Sequence, residues 1–223
     1  MKANDTALQE TGLQFFGKLS ASVSHDLKNV LSIINEKAGL LEDFCYMARQ
    51  GRPLDMERIE AVTAQVKGQV ERADQIIRCF NRFAHSTDHP IAAVDLGETA
   101  TTLVHLAQRL LAGMEATVVV QPIDPPVMIT TRPLMAQELI WAAVQWAASQ
   151  SGGKKEIALA VERCGAGARI LIGPLDHLPE GGLETAFRTA TDAVREALQA
   201  EIQLDIAAGM LQLELAGLVP PPG

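Results

Sequence analysis

Between Phe16 and Leu41 the chain places Phe16, Leu19, Val23, Leu27, Val30, Ile34 and Leu41 at steps of three, four and seven residues, with no proline in the run. Such spacing puts all seven side chains on one face of a helix. A second run, Ile59, Val62, Val66, Val70, Ala73, Ile76, Ile77 and Phe80, repeats the pattern after the breaker Gly51-Arg52-Pro53. Two helices striped in this way cannot bury their apolar faces fully on each other. The expected solution is a four-helix bundle formed with a second copy, so the chain is read as a homodimer. The helices are predicted over about Thr11 to Gln50 and from the N-cap Asp55 to about Ala84, within a hairpin domain covering residues 11–88.

The first helix also carries a polar stripe. Ser22, His25, Asn29, Ser32 and Glu36 recur at helical steps opposite the apolar run. His25 is therefore expected at the surface. A lone surface histidine is ordinarily a solvated side chain, so the stripe alone does not make a site.

After the polar linker "HSTDHP" (85–90) the pattern changes. Leu96 to Met114 reads as a helix, followed by the β-branched run "ATVVV" (116–120) and a short strand candidate "VMITT" (127–131). Pro133 to about Gln150 is an apolar helix. "EIALAVE" (156–162) and "ARILIG" (168–173) read as a strand pair, Leu183 to about Ala200 as a helix, and "IQLDI" with "MLQLELA" as a hairpin turning at "AAG". The tail "VPPPG" is expected to fray. The fold class is α+β: the helical hairpin, then a two-layer α/β sandwich over residues 92–218.

Composition narrows the function. A net charge of −8 and a pI near 5.1 argue against nucleic acid, because phosphate backbones call for a basic surface. No apolar run reaches membrane-span length, and "MKANDTALQE" lacks a leader's apolar core. Cys45, Cys79 and Cys164 are odd in number and far apart, as in the reduced thiols of a cytoplasmic protein. His105 reads as a packed helix residue, and His85, Asp88 and His89 as solvated linker rather than a metal site. Trp141 and Trp146 are expected to pack under the sheet.

"SHDLKN" resembles the phosphoacceptor box of sensor histidine kinases, in which the histidine is followed by an acid and, four positions on, by Asn or Thr. "AVDLGETATTLVHLAQRLL" is similar to that family's linker and the first helix of its ATP-binding domain. "TTRPLMAQELIWAAVQWAASQSGG" sits where its asparagine-rich helix belongs. The resemblance extends from about Leu13 to Leu218. It implies a dimerising hairpin bearing a phospho-accepting histidine, followed by an ATP-binding-type sandwich.

The departures change what is implied. Gln145 stands near the position of the Mg²⁺-ordering asparagine, Asp176 is displaced after "RILIG", and the alternating glycines and glycine-rich lid have no counterpart. The sandwich is therefore expected to be degenerate and to bind no ATP. No cofactor or metal is assigned to this chain, and Mg²⁺ is expected on a partner receiver domain.

Imidazole chemistry remains. With an ordinary pKa of about 6.5, neutral His25 can accept a phosphoryl group from a phospho-aspartate and return it. The exchange needs positioning more than covalent machinery, since its transition state is loose. Asp26 is placed to accept a hydrogen bond from the unreactive ring nitrogen. By resemblance, Asp26 raises the basicity of His25, and Asn29 orients water for dephosphorylation. Ser22, Lys28 and Ser32 flank these residues as candidate partner contacts. The leading expectation is a histidine phosphotransferase working with response-regulator receiver domains in a two-component phosphorelay, not an autokinase. The alternatives are a receiver phosphatase acting through Asn29 and a non-enzymatic scaffold.

Overall fold

A computed structural model describes residues 2–151, 156–178, 183 and 185–218, with side chains from residue 10 onward. Helix α1 (Lys2–Arg49) and helix α2 (Met56–His85) form the hairpin. α1 starts well before Thr11, because "KANDTALQE" contains neither proline nor glycine to stop a helix; it lacks only the apolar period that would have revealed one. Gly51 ends α1 with a left-handed φ of 80°, and the Arg52 N–H donates to the Met47 carbonyl at 3.2 Å, a six-residue closure that glycine permits without steric cost. Asp55 caps α2 as expected, its carboxylate accepting from the Arg58 N–H at 3.1 Å.

The second half contains β1 (Ala92–Asp95), α3 (Leu96–Gly113), β2 (Thr117–Val120), β3 (Met128–Thr131), α4 (Pro133–Gln150), β4 (Glu156–Cys164), β5 (Gly167–Gly173), α5 (Thr185–Leu198), β6 (Ala200–Asp205) and β7 (Met210–Leu215). Five strands make a mixed sheet in the order β2-β4-β5-β7-β6. β2 and β4 are parallel and the remaining pairs antiparallel. α3, α4 and α5 form the helical layer, which gives the two-layer sandwich the sequence implies. β1, absent from the sequence reading, pairs antiparallel with β3 in a separate two-stranded sheet. Asp95 ends β1 and caps α3, accepting from the Gly97 N–H at 2.9 Å. A Cβ at Gly97 would sit 2.5 Å from the Ile123 Cδ1, so a larger residue there would require the Ile123 side chain to shift.

Hairpin and sandwich share one apolar core. Phe15, Leu19, Val23, Ile76 and Phe83 join a continuous cluster with Leu96, Leu103 and Ile140 of α3 and α4. Four of the chain's six phenylalanines meet at the hairpin's base, where Phe15 and Phe16 contact Phe83 and Phe16 also contacts Phe80. These aromatic contacts fix the antiparallel register of α1 on α2. The hairpin's far end is held separately: Phe44 and Val62 are buried outside that cluster, and the Arg58 guanidinium lies 5.0 Å from the Phe44 ring centroid. Among the described residues no helix is long and apolar enough to cross a membrane. The C-terminal "VPPPG" lies outside the described residues.

Candidate functional site

His25 stands exposed on α1 between Val23 and Val30, both buried in the shared core. Val23 is buried in the shared core, and the next two residues turn outward. The His25 side chain is 55% exposed and that of Asp26 22%. His25 Nδ1 lies 3.8 Å from the Asp26 carboxylate. That separation is too long for a hydrogen bond, so the expected direct bond is replaced by an electrostatic contact. The contact still gives the ring a sense of direction: Nδ1 faces the acid, which leaves Nε2 as the nitrogen available for chemistry.

Asn29, Lys28 and Ser32 are exposed on the same stretch of α1. Asn29 is one turn above His25, so an amide and an imidazole share one accessible helix face. Ser22 departs from the stripe. It is only 2% exposed, and its hydroxyl has no hydrogen-bond partner. A position next to the apolar seam became interior through tertiary packing, which local periodicity does not register. Ser22 is therefore not a surface contact for a partner in this fold.

His105 on α3 is half-buried, in keeping with a packed helix residue. Burial pushes its imidazole below the ordinary value, the nearby Arg72 guanidinium pushes the same way, and Asp26 opposes both. At neutral pH His105 therefore carries little charge and does not neutralise Asp26. Local periodicity does not register that α3 would bring His105 within electrostatic reach of Asp26.

The linker histidine His85 bonds Asp88 at 2.7 Å across one helical turn. Among the described residues, no three histidine, cysteine or acidic side chains converge as a metal site would require. The sandwich's interior faces differ from expectation in one respect: Trp146 stacks on Phe187 of α5, ring centroids 5.4 Å apart, so its partner lies in the helical layer. This aromatic pair packs α4 against α5.

No family model matches the chain, and no curated protein matches it. Among solved structures it is similar to the Acinetobacter baumannii histidine kinase AdeS, at 11% identity over 86% of this chain and 98% of that one, with a TM-score of 0.47. It is similar also to a bacterial phosphotransferase, at 14% identity over 90% and 95% of the two chains, with a TM-score of 0.46. The ATP-binding domain of PrrB from Mycobacterium tuberculosis shows 20% identity over 60% of this chain and 100% of that one, with a TM-score of 0.46.

Proposed function

We propose that this chain is a histidine phosphotransferase that relays a phosphoryl group between response-regulator receiver domains through His25. The observation that carries the reading is the exposed His25 ring with Nδ1 turned to Asp26 and Nε2 open to a partner. In the forward step the Nε2 lone pair attacks phosphorus, the acyl O–P bond of the receiver's phospho-aspartate breaks, and the carboxylate leaves. The Nδ1 proton stays on the ring beside Asp26, which stabilises the cationic phospho-imidazole. The reverse step restores the acyl phosphate. Mg²⁺ on the receiver neutralises charge during transfer, and this chain supplies the nucleophile and its orientation.

Nucleotide plays no part in the proposed cycle. The proposed assembly is a homodimer through the hairpin. Val23 and Val30 are covered within one chain, whereas Leu31, Val70 and Ile77 leave apolar surface exposed on the two helices. A second copy laid along them would complete a four-helix bundle.

The test is transfer of labelled phosphate from a phosphorylated receiver. Label is expected on the wild-type chain and none on His25→Ala; label persisting on that variant contradicts the reading. Asn29, exposed one turn from His25, supports a second reading in which the chain dephosphorylates the receiver. In that case Asn29→Ala abolishes phosphate release while labelled His25 never accumulates.

A further inference from the structure

We propose that a pocket between the hairpin's base and the sandwich is a binding site for a free α-amino acid with an apolar side chain. The site is separate from His25 and does not depend on the phosphotransfer reading. The pocket has a volume of about 490 Å³, within the range of small-molecule sites. Three parts of the chain meet there: the end of α2 with the linker, the β1–β3 pair with the start of α3, and the first turns of α4. Val94, Pro126, Met128 and Pro133 give it an apolar wall.

The polar groups on the lining set the class of ligand. Gln137 of α4 is 6% exposed, and its Oε1 is buried without a hydrogen-bond partner. Interior amides are nearly always paired, so an occupant of the pocket that Gln137 lines would complete it. An amide accepts through oxygen and donates through nitrogen, and it suits a ligand that does both.

Two charged features of opposite sign share this lining. Asp95 accepts through Oδ1 from the Gly97 and Glu98 N–H groups, at 2.9 and 3.4 Å, which leaves Oδ2 free among the described residues. α4 starts at Pro133 with no side-chain cap and no acid in its first turn, so its positive end is uncompensated. The other charges are met locally: Arg82 pairs with Glu98 at 2.9 Å, and His85 bonds Asp88 at 2.7 Å.

An α-amino acid carries an ammonium and a carboxylate on one carbon. Its ammonium matches Asp95 Oδ2 and Gln137 Oε1, and its carboxylate matches the α4 N-terminus and Gln137 Nε2. An apolar side chain then covers the wall. A simple amine would leave the end of α4 uncompensated, and a simple carboxylate would face Asp95.

The experiment titrates the ¹⁵N-labelled full chain with L-leucine and follows the Gln137 side-chain amide by NMR. Leucine is expected to shift those resonances and to saturate in the millimolar range, as a ligand of its size does. Isoamylamine, which lacks the carboxylate, and isocaproate, which lacks the ammonium, are expected to bind about tenfold to a hundredfold more weakly. Gln137→Leu removes the orphan amide, so it is expected to raise the melting temperature of the free chain while weakening leucine binding by about tenfold or more. Asp95→Asn keeps a capping oxygen for α3 and loses the charge, and it is expected to weaken binding similarly. Backbone amides of β1 and α4 read the affinity of both variants. A Gln137 amide that does not respond to leucine, equal binding of either analogue, or an unchanged affinity in either variant overturns the proposal.

Discussion

The ring of Phe83 stacks on that of Phe16 with centroids 5.1 Å apart and an interplanar angle of 21°, while Phe15 meets the same ring edge-on at 5.6 Å. One fully buried side chain of α2 thereby grips two successive residues of α1. The same cluster carries the apolar residues of α3, so it sets both the hairpin's register and its attachment to the sandwich.

Phe83→Ala is therefore expected to destabilise the chain by about 3–5 kcal/mol, the range for removing a buried aromatic ring. Urea denaturation followed by far-UV circular dichroism measures it. A loss below about 1 kcal/mol would mean that the hairpin is held elsewhere.

Leu31, Val70 and Ile77 are exposed in a single chain. Replacing all three with lysine is expected to convert the proposed dimer to a monomer without unfolding it, because charge repels where apolar surface would be buried. Analytical ultracentrifugation reads the change. A variant that sediments like the wild-type protein contradicts a hairpin interface.

Two titratable groups give opposite pH effects. Burial raises the Glu138 carboxyl above its ordinary value of 4.5, with a hydrogen bond to Thr11 opposing. The folded chain holds that proton more tightly than the unfolded one, so the stability it confers is full below the ordinary value and is lost as pH rises through the raised one. Glu138→Gln should accordingly raise the melting temperature at pH 7 and leave it unchanged at pH 4. His105, lowered by burial, works the other way: its contribution is full above the ordinary 6.5 and is lost as pH falls. His105→Leu should flatten the acid side of the stability profile. Thermal melts across the pH range check both signs.

Addition of ATP and Mg²⁺ is expected to leave the melting temperature where it is. A ligand present at about a hundred times its dissociation constant would add roughly 2.7 kcal/mol, well within the reach of a thermal-shift assay. An upward shift would contradict the nucleotide-free cycle.

Much of the fold was legible where a strong local signal was present. The two hairpin helices, the Asp55 cap, α4 with Pro133 at its start and the β4–β5 pair all follow from period, capping or turn chemistry within a few residues. β1 was missed because "AAVD" is only four residues long, follows a proline-containing linker, and owes its existence to β3 more than thirty residues away. The start of α1 was missed because its first turns carry no apolar stripe. At the site, the exposure of His25, Lys28, Asn29 and Ser32 was readable from one helix's period. The burial of Ser22 and the electrostatic influence of Asp26 on His105 were not, since they depend on how helices distant in sequence meet.

The central claim is that the His25 imidazole carries phosphate delivered by another protein. Phosphopeptide mapping after reaction with a labelled phospho-receiver tests it most directly, under neutral conditions that preserve the acid-labile N–P bond. The account predicts a single labelled peptide from α1 with the modification on His25, chased off when unphosphorylated receiver is added. Label on any other residue, or none on the chain while the receiver stays phosphorylated, would contradict it.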